Sequence, residues 1–247
     1  MPIGHSPEHY SSTPPSTTEC ITTNTETPIN DVGGKMNILL IGATGAIGSR
    51  ILDEAVSRGH DVTAIAHHIG DLQGGPQIRA VQADAKDTRQ LIELATGQDA
   101  IVSSLSPRGD NGREQYLTAI RSVLAAAKAT ESPYVLFVGG MSNLFTANGK
   151  RILDQLLERI PAERLGEPIA VADARAIIER SDVNWTFFCP GGRIEPGERT
   201  GEFRVGGEQA LFELGEETRI SMEDYAVAAI DELEQPQHLR QMFHACY

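Results

Sequence analysis

Asn37-Ile38-Leu39-Leu40-Ile41-Gly42-Ala43-Thr44-Gly45-Ala46-Ile47-Gly48 joins a short apolar run to three glycines spaced three apart. Asn37–Ile41 is wholly apolar after its first residue, as a strand buried on both faces of a parallel sheet must be. Ala46–Arg58 then places Ile47, Ile51, Leu52, Ala55 and Val56 on one helical face, and Gly59-His60 stops it. In a strand–turn–helix of this kind each glycine has a task. Gly42 lets the chain turn sharply at the strand end. Gly45 leaves room for a pyrophosphate to approach the backbone. Gly48 lets the helix pack close to the sheet. The helix N-terminus offers unpaired N–H groups and a positive dipole end to the phosphates. Gly42, Ala43, Thr44, Gly45, Ala46, Ile47 and Gly48 are therefore read as a nicotinamide dinucleotide site. The competing reading is a tight strand-to-helix turn with no ligand.

Outward from this turn, strand and helix patterns alternate. Asp61–Ala66, Gln77–Gln82, Ala100–Ser103 and Tyr134–Val138 read as strands. Thr88–Thr96 and Arg113–Thr130 read as the helices between them, the second with Leu117, Ile120, Val123, Leu124 and Ala127 at helical spacing. Such alternation predicts an α/β fold, a doubly wound parallel sheet of Rossmann type. After residue 140 the pattern loosens. Ala170–Arg180 reads as a helix and Trp185–Cys189 as a sixth strand ending at Pro190. Phe203–Val205 and Met242–Ala245 read as short strands, and Met222–Glu234 as a helix opened by Ser221, a good N-cap. The second half is expected to complete the sheet and add a small C-terminal substrate lobe.

Residues 1–35 are Ser/Thr/Pro-rich with almost no apolar periodicity. They are expected to form a disordered leader to a dinucleotide-binding domain spanning 36–247. Met36 directly precedes the first strand and is an alternative start. Over the whole chain 21 basic residues face 34 acidic ones, a formal net charge of −13. So acidic a surface argues against nucleic acid and anionic lipid as general partners. It leaves open an anionic cofactor held by backbone N–H groups. Three scattered cysteines, Cys20, Cys189 and Cys246, suit free thiols in a reducing cytoplasm, and no apolar run approaches the length of a membrane span.

Ile41–Gly48 resembles the opening of the atypical short-chain dehydrogenase/reductases. It is most similar to the NmrA-like proteins and the NADPH-dependent flavin (biliverdin IXβ) reductases. The segments Gln82–Ala85, Ser103–Pro107 and Cys189–Gly192 fall where that group has its cofactor-lining loops. The resemblance implies that Asp84 accepts a hydrogen bond from the adenine amino group with Ala85 beside the ring; a carboxylate opening the following helix is the alternative for Asp84. Pro190 falls in the last of the three loops. The resemblance also implies a monomer. Ser104, Leu105 and Ser106 would pass near the nicotinamide ribose, because ligands lie beyond the carboxyl ends of the strands at the switch point.

An NAD-preferring site carries a carboxylate about 20 residues past the glycines, on the ribose hydroxyls. Here that position falls on Ala64-Ile65-Ala66-His67-His68, without one. NADP users in the resembled group often carry Arg where His67 stands, and a histidine gains charge beside a phosphate. His67 and His68 are thus candidates for the 2′-phosphate of NADP(H), the expected cofactor, with NAD(H) as the alternative. As plain solvated residues they would carry no such preference.

Short-chain dehydrogenases typically use a Tyr-x-x-x-Lys pair, the Lys lowering the Tyr pKa. No tyrosine here is followed by Lys at that spacing. The flavin-reductase relatives also lack the pair, so hydride transfer to a flavin or quinone is still open. Arg175 falls where those relatives have a helix histidine, and would bind an anion or stabilise charge if it is not a solvated helix residue. Ser142 would donate to substrate or cap its loop. Two readings follow: an NAD(P)H-dependent oxidoreductase acting on a small planar acceptor, or a dinucleotide-sensing NmrA-like regulator that does not turn over.

Overall fold

The computed structural model describes residues 34–70, 72–107, 112–130 and 134–247. Apart from Gly34 and Lys35, the expected leader lies outside them. The apolar runs pair side by side. β1 (Asn37–Ile41) lies between β2 (Asp61–Ala66) and β4 (Ala100–Ser103), parallel to both, with Ile38 opposite Val62 and Ala100. β3 (Ile78–Gln82) continues the sheet beyond β2. β5 (Tyr134–Val138), β6 (Trp185–Pro190) and β10 (Gln241–Cys246) continue it beyond β4, all parallel. β8 (Arg204–Gly206) closes that edge antiparallel to β10, giving the order β3-β2-β1-β4-β5-β6-β10-β8. β7 (Arg193–Glu195) and β9 (Arg219–Ser221) form a separate parallel pair. The chain winds outward from β1 to β3, then returns to β4 on the opposite side of β1. That reversal opens a crevice at the carboxyl ends of β1 and β4.

Both faces of the sheet are covered, which is why its strands are apolar without alternation. Ile38 and Leu40 pack with Ile51, Leu52 and Tyr225 under α1 (Ala46–Ser57) and α6 (Met222–Glu234). Leu39 and Ile41 pack with Leu91, Ile120 and Ile178 under α2 (Thr88–Ala95), α3 (Gly112–Ala129) and α5 (Gly166–Glu179). Each such aliphatic side chain, fully buried, contributes about 1.5–3 kcal/mol. The few aromatics are concentrated: Phe188 stacks between Tyr225 (4.0 Å) and Phe243 (4.2 Å). Among the described residues no helix is long and apolar enough to cross a membrane.

The first six strands and first three helices fall within two residues of their expected ends. α5 begins four residues earlier than the apolar pattern indicated, because Pro168 sits in its first turn, where the missing N–H is no loss. The expected strand 203–205 forms one residue later, at Arg204–Gly206, and 242–245 extends to Gln241–Cys246. α4 (Ile152–Leu157), β7 and β9 were not anticipated; each is too short to show a period.

α6 is anchored as its sequence indicated: the Ser221 side chain accepts from Asp224 N–H at 2.9 Å. The Asp224 carboxylate, fully buried, accepts from the backbone N–H groups of Thr200 and Gly201 and from the Tyr247 hydroxyl, each at 2.8 Å, and from the Thr200 hydroxyl. Burial pushes this carboxyl up, but the donors more than offset it and hold it below its ordinary 3.8. On α1, hydrogen bonds from Arg199 hold Glu54 below its ordinary 4.5 against the effect of burial, with help from Arg58. Both folded-state values are depressed, so this stability is present above the ordinary values and is lost as pH falls through the depressed ones. Denaturant unfolding should therefore show stability dropping as pH is lowered below about 4. Asp224→Asn should cost about 1–3 kcal/mol at pH 7 and shrink the acid loss. An acid loss unchanged by the substitution would contradict this assignment.

Candidate functional site

At the end of β1 the backbone turns through Gly42 at φ +86°, a left-handed conformation that favours glycine. Its N–H and that of Ala43 both donate to Ile65 O, at 2.9 and 3.2 Å. A Cβ on Gly42 would stand 2.5 Å from Ser104 O, and one on Gly48 would stand 2.1 Å from Gly42 O. Gly48 thus permits close approach of the helix to the turn itself, rather than to the sheet. Gly45 is different. Its φ of −72° and ψ of 163° suit any residue, and its Cβ would meet only Gly42 O, at 3.2 Å. Neither backbone strain nor severe crowding calls for glycine there, and what remains is the open space above it. The first bond of the helical ladder runs from Ser49 N–H to Gly45 O at 2.9 Å. The N–H groups of Ala46, Ile47 and Gly48 therefore precede the ladder, and Gly45 as N-cap supplies no side chain to occupy them. This donor set and this space fit a pyrophosphate.

The turn opens on a crevice of about 430 Å³ along the carboxyl ends of four neighbouring strands. From the end of β1 come Gly42, Thr44 and Gly45; from β2, Ala66 and His67; from β3, Asp84, Ala85 and Lys86; from β4, Ser104, Leu105 and Ser106. Four segments distant in sequence meet there in the order the sheet dictates. Ala43 is buried beneath the turn, and Ala46 and Ile47 belong to the helix start outside the crevice lining. Asp84 does not open the following helix. Asp87 does, accepting from Gln90 N–H at 3.1 Å, so the Asp84 carboxylate stays half-exposed in the crevice, 3.5 Å from Lys86 Nζ. Among the described lining residues Asp84 is the one carboxylate. His67 lines the crevice; His68 does not, but its Nδ1 lies 3.0 Å from His67 Nδ1.

The remaining candidates lie elsewhere. Ser142 is buried in the one-turn helix Met141–Asn143 that follows β5. Pro190 is buried at the end of β6, in register with Ala245. Arg175 is not a solvated helix charge: its side chain is 11% exposed. It donates to Glu179 (2.7 Å), to Asn143 O (3.0 Å) and to Glu208 (3.4 Å), and lies over the Phe145 ring. It clamps the loop after β5 to the segment around Glu208.

Tyr116 was passed over because it lacks the Lys partner. It stands one turn into α3, whose N-terminal end faces the crevice, and it lines that crevice while only 4% exposed. No described residue hydrogen-bonds its hydroxyl. Burial, with the nearby Cys189 and Glu167, pushes its phenol well above the ordinary range, so it is a neutral donor. Its signal was position: a polar tip on the helix that follows the switch-point strand.

Fold and crevice together define a Rossmann-type dinucleotide-binding protein. Residues 42–235 match the NAD(P)H-binding family, and the chain belongs to that family. This agrees with the resemblance carried by Ile41–Gly48. The chain is 32% identical over 214 residues to the "Uncharacterized protein YwnB" of Bacillus subtilis (strain 168), covering 84% of this chain and 97% of that one. A solved structure of a "putative exported protein" from Burkholderia pseudomallei is 35% identical, with TM-score 0.74, and the match covers 86% of this chain and all of that one (100%). A "putative NADH-flavin reductase" from Streptococcus pneumoniae TIGR4 is 27% identical, with TM-score 0.73, covering 85% and 98%.

Two outcomes follow from the turn and the crevice. Gly45→Val should fold with little change in thermal stability yet lose measurable dinucleotide binding. Gly48→Val should be destabilised outright, by the collision with Gly42 O. Equal stability losses in the two variants, or a folded Gly45→Val that binds normally, would contradict the division of tasks. Tyr116→Phe should weaken dinucleotide binding by about 2–10-fold, the worth of one neutral hydrogen bond, at unchanged stability. Unaltered affinity in calorimetric titration would remove Tyr116 from the site.

Proposed function

We propose that the protein is an NAD(P)H-dependent oxidoreductase that passes a hydride to a small planar acceptor, such as a flavin or a quinone. The observation that carries the reading is the crevice: a donor-rich helix start beside it, room above Gly45, and a lining that runs from Asp84 and Lys86 to Ser106. The similarity to a protein described as an NADH-flavin reductase supports the class of acceptor. When bound, the cofactor supplies the hydride. The overall change is NAD(P)H plus acceptor plus one proton giving NAD(P)⁺ and the two-electron-reduced acceptor. The proton comes from solvent, so the protein need only bind and orient the two rings. This suits a chain with no Tyr–Lys pair.

Within this reading NADP(H) is the preferred cofactor. His67 lines the crevice at the end of β2, and among the described residues no carboxylate stands there to repel a 2′-phosphate. Asp84 and Ala85 hold the adenine end, and Ser104 to Ser106 the nicotinamide ribose. Ser142 and Arg175 lie outside the crevice lining, and for them the structure favours a supporting part. We place the protein in the cytoplasm as a monomer acting on a small molecule; Cys189 and Cys246 are free and buried, which suits a reducing compartment.

Oxidation of NADPH and NADH, followed at the nicotinamide absorbance band with a panel of flavins, quinones and carbonyls, tests the proposal. Turnover with a flavin or quinone is expected, with NADPH bound more tightly than NADH. His67→Ala should weaken NADPH by about tenfold, as loss of a charge-assisted hydrogen bond would, and leave NADH unchanged. Tight cofactor binding without turnover on any acceptor would instead indicate the dinucleotide-sensing regulator.

A further inference from the structure

We infer that the acceptor binds in a second cavity, beyond the carboxyl ends of β5 and β6, which recognises an uncharged planar ring rather than a charged tail. The inference rests on the hydride-transfer reading above and assigns its acceptor site. The cavity measures about 430 Å³, within the range of small-molecule sites. Met141, in the loop after β5, lines it with Gly192, in the loop after β6.

Its place follows from the sheet order. Neighbouring strands lie about 4.8 Å apart, so the dinucleotide crevice, from the β3 loop to the β4 loop, covers about 14 Å. The β5 and β6 loops come about 5 and 10 Å further in the same direction. A dinucleotide lying with its adenine at Asp84 and its ribose at Ser104 to Ser106 therefore directs its nicotinamide towards this second cavity.

The walls are held firmly. Gly192 has φ +126°, and a Cβ there would stand 2.2 Å from Thr218 O. Thr218 is strapped across it: its carbonyl accepts from Arg193 N–H and its hydroxyl donates to Gly191 O, both at 2.9 Å. The segment leading to Phe212 is fixed by Phe145, whose N–H donates to Glu208 O and whose carbonyl accepts from Ala210 N–H. Arg175 braces that junction through Asn143 O, Glu208 and the Phe145 ring. Arg175 is thus a positioning residue for the cavity wall.

The lining decides the ligand class. Phe212, Leu214 and Met141 give an aromatic face, an aliphatic side chain and a thioether, a surface suited to a flat ring. The charged members cancel: Arg193 and Arg219 are offset by Glu216 and Glu217. Both arginines also lie against Glu195, at 3.3 and 3.8 Å. No net positive field is left to select a phosphate.

Quenching of riboflavin and of FMN fluorescence, titrated with the protein saturated in NADP⁺ so that nothing turns over, tests this, with the KM of a naphthoquinone in parallel. The two flavins should bind within about threefold of each other. Leu214→Trp, which fills the cavity, and Phe212→Ala, which removes its aromatic face, should each weaken both flavins and raise the quinone KM about tenfold, with NADPH affinity within twofold of wild type. Unchanged flavin affinity and quinone KM in both variants would overturn the assignment. So would FMN binding ten or more times tighter than riboflavin, a comparison that needs no variant, or wild-type protein that takes none of the three acceptors. Failure of the underlying reading looks different: flavins bind and the variants weaken them, but NADPH is oxidised by no acceptor.

Discussion

The start of α1 closes on the carbonyl of Gly42. The carbonyl accepts from Gly45 N–H at 3.0 Å and is approached so closely by Gly48 that no Cβ fits between them. Gly42 itself presses against Ser104 O, and its N–H is held by Ile65 O. This one crowded point ties the ends of β1, β2 and β4 to the start of α1. The ends of the strands form the floor of the crevice, and the helix start supplies its donors. Any side chain at Gly42 or Gly48 would separate these elements, so the site and the switch point of the sheet are one construction.

An acidic chain that binds an anionic cofactor needs attraction that acts at short range. Backbone N–H groups at a helix start supply it whatever the net charge. The arginines, by contrast, are largely spent on carboxylates: Arg58 on Glu54 one turn back and on Asp231 and Glu234 of α6, Arg199 on Glu54, Arg50 on Glu223, and Arg175 on Glu179 of its own helix and on Glu208. They clamp α1 to α6 and α5 to the segment around Glu208. Side-chain charge fixes the scaffold, while the described lining of the crevice has a single carboxylate, Asp84, beside Lys86, and one histidine, His67, at the end of β2.

The sheet was legible because buried parallel strands are apolar without interruption and the helices between them are amphipathic; Ile38 to Ile41 and Ile51 to Val56 show both patterns. The glycine turn was legible because its spacing follows helix geometry. Gly48 shows the limit of that reading: the sequence indicates that a side chain is missing, not which atom excludes it. β7, β9 and α4 could not be read, since three residues of strand or six of helix hold fewer than two periods. The second cavity was hidden for another reason. Met141, Gly192, Phe212 and Leu214 are brought together only by sheet order and by the Thr218 and Arg175 contacts, and apart from Gly192, in the segment Cys189–Gly192, none belongs to a local motif. Tyr116 was visible but judged by the wrong partner, since position on α3, not a lysine four residues on, places it at the crevice.

The central claim is that the open N–H groups at the start of α1 receive the dinucleotide's phosphates. Amide chemical shifts of isotope-labelled protein, recorded as NADPH is added, report on those groups one by one. The largest changes should fall on Ala46, Ile47 and Gly48, with smaller ones at His67, Asp84 and Ser104. Saturable binding that leaves the amides of 46–48 unmoved while shifting residues away from this crevice would contradict the account.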